Sequence, residues 1–187
     1  FEHMLFKGSR TIGTNNLAAE QAFFRRIDAV ADSFTAEFRK GALTDSARLR
    51  RLRERVKQLE DSARAFVVSN ELDRILTENG AVGLNASTSS DLTNYFFSLP
   101  ANRAQLWFIL ESDRLRNPVL REFYSERDVV MEERRLRTET QPFGMLIEEY
   151  LEAAFRAHPY GRPVVGHASE IQAVSRNSAL EYFHRFY

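Results

Sequence analysis

Between Leu17 and Phe66 the chain sets its apolar residues three and four apart, and that spacing admits few folds. In the first stretch, Leu17 to about Lys40, they fall at Phe23, Ile27, Val30, Phe34 and Phe38. Residues so spaced share one face of an α-helix. Gly41 breaks the pattern, and Thr44, Asp45 or Ser46 can cap a second helix by accepting a backbone N–H. That helix carries Leu49, Leu52, Val56, Leu59, Ala63 and Phe66, the 3-4-3-4-3 rhythm of a coiled-coil seam. Two such helices joined by a short turn bury their stripes against each other, which predicts an antiparallel helical hairpin over residues 17–65. It reads as a structural arm, with a partner-binding module as the alternative. Basic residues from Arg48 to Lys57 alternate with Glu54, Glu60 and Asp61, as on a solvated helix face.

The remaining segments alternate between helix and one sheet signal. FEHMLFKG reads as the last turns of a helix ended by Gly8, and ELDRILTENG as a short helix ended by Gly80. Val82 to Thr88 and Thr93 to Leu99 read as two strands around a polar turn at Ser89–Asp91, stopped by Pro100. Helices are expected at about Ala101–Leu115, Arg121–Thr138 and Gly144–Ala157. HPYGRPVVG is a loop, and short helices near Ser169–Val174 and Ser178–Tyr187 follow it. This is an α+β pattern, an antiparallel sheet packed against helices with an inserted antiparallel helical hairpin. Two strands cannot bury both faces alone, so further strands are expected upstream of Phe1.

Composition removes whole classes of function. The 187 residues carry 26 Lys+Arg against 26 Asp+Glu, and zero net charge argues against a nucleic-acid partner. With no cysteine, a disulfide scaffold, a thiolate metal site and a cysteine nucleophile are excluded. No apolar run is long enough to span a membrane.

Glu2-His3 taken alone is weak evidence, since a helical His is more often a surface or hydrogen-bonded residue than a ligand. The longer string FEHMLFKGS resembles the pitrilysin/insulinase family of zinc peptidases, whose members carry H-x-x-E-H followed by M-L-F-K-G-[ST]. Two His at i and i+4 share a helix face and can reach one zinc, while the Glu before the second His can address a water. KGSRTIGT resembles the loop after that motif, and GLNASTSSDLTNYFFSLP the family's substrate-facing hairpin with its N-A-x-T signature. LWFILESDRLRNPVLREFYSERDVVMEERRLR resembles the helix pair that follows.

The resemblance implies a zinc-dependent metalloendopeptidase acting on extended peptides. Glu2 would be the catalytic base, His3 and Glu133 metal ligands, and Glu126 a support for a ligand. Asn85, Ala86 and Thr88 would bind substrate. Glu126 and Glu133 stand seven apart, on one helix face after about two turns. Glu132 competes locally but points about 100° away from Glu133. The bland reading pairs all three with Arg127, Arg134, Arg135 and Arg137. Residues 17–65 would be an insertion relative to shorter members, accounting for the long interval between His3 and Glu133. The first His of the motif would lie two residues before Phe1, so residues 1–187 are expected to form a single incomplete domain, part of the catalytic half. Such a fragment would bind zinc weakly and lack activity alone, its partner being the C-terminal half or a second subunit. The competing function is a non-catalytic family subunit acting as a scaffold. His158 and His167 are expected to cap turns or touch solvent rather than bind metal, and His184 to pack among aromatic residues.

Overall fold

Asn16 opens α1 (Leu17–Phe38) by accepting the N–H of Ala19, one of the donors that a first helical turn leaves free. Asp45 does the same for α2 (Ser46–Ala63), accepting from Ala47 and Arg48. In the computed structural model, which describes residues 1–187, these helices form the expected pair. Ile27, Phe34, Val56, Leu59 and Ala63 are buried, and Phe23, Val30, Phe38, Leu49, Leu52 and Phe66 are half-buried. The stripes are consumed in the core, which extends to Met4, to Leu120, Phe123 and Tyr124, and to Ala179 near the C-terminus.

The architecture is α+β. β1 (Val82–Thr88) and β2 (Thr93–Ser98) form an antiparallel pair, with Asn85 opposite Phe96 and Thr88 opposite Thr93. A bulge between Val82 and Asn85 coincides with Gly83 in the left-handed region. One sheet face is covered. Leu84, Phe97 and Leu99 pack on a second cluster made by Leu72 and Leu76 of α3 (Glu71–Glu78) and Leu110 of α4 (Ala104–Arg116). Phe96 on the other face stays 50% exposed.

Then come α5 (Phe123–Arg134), α6 (Pro142–Ala154), α7 (Ala168–Ala173) and α8 (Arg176–Phe186). No helix is long and apolar enough to cross a membrane.

Several boundaries differ from the sequence reading, each for a local reason. The motif segment forms a five-residue 3₁₀ turn, His3–Lys7, ended by Gly8 at φ 91°. A Cβ at Gly8 would meet the Ile12 carbonyl oxygen at 2.3 Å, so this reversal requires glycine. α5 starts at Phe123 rather than Arg121, because Glu122 adopts φ 54° and breaks the helical path. It passes into a π-helical turn, Arg135–Glu139, instead of continuing to Thr138. α6 begins at Pro142, where a proline's missing N–H costs nothing. His184 is exposed, not packed, since Phe183 takes the inward position of α8.

One side chain ties these layers together. Arg121 is 1% exposed and forms an ion pair with Glu20 of α1 at 2.8 Å. Its other donors reach the carbonyls of Lys7 at 2.7 Å, Ile12 at 3.0 Å and Ser9 at 2.7 Å. The loop after the 3₁₀ turn therefore wraps around a guanidinium held by the helical hairpin.

Arg121→Met leaves Glu20 charged and alone in the core and should cost about 3–5 kcal/mol. Adding Glu20→Leu should recover only part of this, because the carbonyls of Lys7 and Ser9 still lose their donor, while that of Ile12 keeps the Ser9 N–H. Denaturant melts of the two variants check it, and full recovery in the double variant would contradict this account. Leu59→Ala should cost about 2–5 kcal/mol by leaving a cavity in the seam. A loss within 0.5 kcal/mol in the same melts would show that the hairpin packs loosely.

Candidate metal centre

His3 sits at the start of the 3₁₀ turn, whose inward side chains Met4 and Leu5 are buried. Arg114 of α4 donates to the Leu5 carbonyl at 3.4 Å, and Arg121 to that of Lys7. Buried arginines thus fix the backbone that follows His3. The opposing wall is α5, which presents Glu126 and Glu133 toward the turn.

The imidazole joins the two glutamates. His3 Nδ1 is 2.8 Å from Glu126 Oε1, and His3 Nε2 is 3.6 Å from Glu133 Oε2. Glu126 also receives Lys7 Nζ at 2.9 Å. The hydrogen bond from His3 is the largest cause that holds the Glu126 carboxyl down at about 2, and the Lys7 ammonium assists it. The same bond raises the His3 imidazole above its usual value. The outer oxygen of Glu133 is held by Arg137 at 2.7 Å, one helical turn further along.

Glu132 faces elsewhere. It is exposed and bonded by Arg135 at 2.8 and 2.6 Å, so the adjacent acid does not share the cluster.

The donor set fits a zinc ion. Two donors each about 2.0–2.1 Å from a tetrahedral zinc lie about 3.4 Å apart, close to the 3.6 Å between His3 Nε2 and Glu133 Oε2. Glu126 on the other ring nitrogen is the usual partner of a ligating histidine, fixing its tautomer and orientation.

Glu2 and the β-hairpin complete the surroundings. Thr88 Oγ1 donates to Glu2 Oε2, which joins the end of β1 to the residue before His3. Glu2, His3, Glu126, Glu133, Ala86 and Thr88 all line one cleft of about 650 Å³. The Asn85 side chain turns back to accept the Ala86 N–H at 2.8 Å. His158 caps its own turn by accepting from Tyr160, and His167 lies 3.8 Å from both Glu148 and Glu152.

Three contributors escaped the sequence reading: Lys7, Arg114 and Arg121. Each acts on a group more than 100 residues away, so no local spacing announces it.

Residues 62–168 match the model of the insulinase family, peptidase family M16. That stretch is more than half of the chain and contains the β-hairpin, Glu126 and Glu133. The chain is 35% identical over 121 residues to a protein of Helicobacter pylori named zinc protease PqqE, covering 64% of this chain and 27% of that protein. It is 35% identical over 108 residues to an uncharacterized zinc protease of Mycobacterium tuberculosis, covering 56% and 24%. The crystal structure of a protease from Helicobacter pylori aligns with a TM-score of 0.59 and 32% identity, covering 63% of this chain and 29% of that one. The chain spans about a quarter of the length of the curated relatives it matches. It belongs to the insulinase family of peptidases.

Proposed function

We propose that this chain supplies the catalytic half-site of a zinc metalloendopeptidase that hydrolyses peptide bonds in extended peptides. The observation that carries the reading is the imidazole of His3, set between Glu133 on one nitrogen and Glu126 on the other. His3 and Glu133 would hold the zinc, and Glu126 would orient His3. A catalytic zinc takes three protein ligands and an open position. On this reading the third ligand would be an imidazole supplied by the full-length protein. Residues 1–187 alone would accordingly bind zinc weakly and not turn over. When bound, zinc would polarise the scissile carbonyl and make the attacking water more acidic.

The chain's own residues do the rest. Glu2 accepts the proton of the water that attacks the carbonyl carbon, and passes it to the amine nitrogen as the C–N bond breaks. Thr88 fixes one oxygen of the Glu2 carboxylate and leaves the other for the water. The outer edge of β1 can pair with an extended peptide through main-chain bonds, with Ala86 and Thr88 beside the cleft. Such pairing gives affinity with little dependence on sequence.

The exposed apolar side chains of α4 and α6, among them Phe108, Ile109, Phe143 and Leu146, would be covered by the C-terminal half or a second subunit. Residues 17–65 would be a helical-hairpin insertion in the same incomplete domain. The scaffold reading is less favoured, because a subunit without catalysis has no need of Glu2, His3 and Glu133 in one cleft.

In the full-length protein, Glu2→Gln should lower cleavage of a test peptide about 10²–10⁴-fold while zinc stays bound. Glu133→Gln should lose zinc, measured by metal analysis after dialysis. Undiminished cleavage by Glu2→Gln, or full zinc content in Glu133→Gln, would sink the assignment. Thr88→Val frees the base to rotate and should lower kcat about tenfold at unchanged zinc content; an unchanged kcat would remove Thr88 from the machinery.

A further inference from the structure

The first turn of α5 is capped from a distance. Its N-cap residue Glu122 makes no capping bond with its side chain; that carboxylate is taken by Lys7 at 3.3 Å and Arg64 at 3.0 Å. The free N–H groups at the second and third helical positions belong to Tyr124 and Ser125. Both donate to Glu60 of α2, Tyr124 to Oε1 at 3.0 Å and Ser125 to Oε2 at 3.1 Å. The Ser125 hydroxyl adds a bond to Oε2 at 2.6 Å. Glu60 is 5% exposed.

A carboxylate placed in this way does what an N-cap side chain does, and its negative charge also suits the positive end of the helix. The helix it caps is the one that carries Glu126 and Glu133. Glu126 follows Ser125 directly, and its N–H opens the regular ladder by bonding the Glu122 carbonyl at 2.9 Å. A shift of the first turn therefore moves Glu126 away from His3 Nδ1, and through the rigid helix moves Glu133 from Nε2.

We propose that Glu60 is a positioning residue for the metal centre, through which the helical hairpin sets the place of Glu126 and Glu133 relative to His3. The proposal rests on the reading of Glu133 as a ligand. Glutamine at position 60 keeps the shape of the side chain. It has one acceptor oxygen only, and its NH₂ would meet an N–H of the capped turn.

The test uses the full-length protein. Glu60→Gln should weaken zinc binding about 10–100-fold, the usual range for loss of a group that orients a ligand. It should lower kcat on a test peptide more than it changes KM. In the metal-free protein the amide protons of Tyr124 and Ser125 should exchange faster. Glu60→Asp keeps both acceptor oxygens on a shorter arm and should restore part of the zinc affinity.

A control variant matched for lost stability, such as Leu72→Ala in the other apolar cluster, should leave zinc affinity within about twofold. Wild-type zinc affinity in Glu60→Gln, or an equal loss in the control, overturns the proposal. If Glu60→Gln fails to fold, Ser125→Ala decides, since it removes the hydroxyl bond to Glu60 and with it only a 3.5 Å contact from exposed Arg64: weaker zinc binding supports the proposal and unchanged affinity overturns it. Full zinc content in Glu133→Gln would instead count against the ligand assignment itself.

Discussion

The buried guanidinium of Arg121 is the interaction on which the arrangement depends. A charge in a protein interior is tolerated only where an opposite charge and hydrogen bonds replace its water. Arg121 obtains the charge from Glu20 and three bonds from the carbonyls of Lys7, Ser9 and Ile12. The demand runs both ways. A loop of such tight curvature has carbonyls that no strand or helix satisfies, and the arginine supplies their donors. The segment bearing Glu2 and His3 is thereby attached to α1, and α1 shares a core with α2 and α5. One side chain thus joins the loop to α1, and the shared core carries that hold to α2 and α5.

Most of the fold was legible because its determinants are local. The stripe from Phe23 to Phe38 and the seam from Leu49 to Phe66 announce helices by period alone, and β1 begins and ends where its alternation begins and ends. Boundaries failed where a single residue served a distant partner. The sequence pattern predicts a helix from Arg121, but its side chain is committed to the loop at residues 7–12, and Glu122 next to it turns into the left-handed region. The segment containing His3 was expected to be the end of an α-helix and is a tighter 3₁₀ turn. His184 shows the limit of reading burial from neighbours: it lies among aromatic residues in sequence, yet the helix turns it outward.

The candidate site was legible in a different way. Periodicity put Glu126 and Glu133 on one helix face, and resemblance to a family linked that face to His3. The structure brings all three within hydrogen-bonding or ligand-pair distance. It also separates Glu133 from Glu132, which spacing had favoured without deciding. What spacing could not carry is the support around the cluster. Lys7 reaches Glu126 across 119 positions, and Glu60 reaches Ser125 across 65, so each looks like one more solvated charge until the chain is folded.

The helical hairpin illustrates why such support matters. A surface insertion that touched nothing would add length without consequence. Here α2 bonds α5 at three heights: Arg64 to Glu122, Glu60 to the N–H groups of Tyr124 and Ser125, and Arg53 to Asp128. The outer pairs are exposed at Arg53 and Arg64 and contribute little. Glu60 is buried and satisfies backbone donors that would otherwise lack partners, so it outweighs them. At the other end of α5, Arg134 bonds the Gly166 carbonyl at 2.9 Å and Glu148 at 2.7 Å. A helix gripped at both ends has little freedom to slide along its axis. That rigidity is what a metal site requires of a glutamate, since a functional group must be held within about 0.5 Å of its productive position.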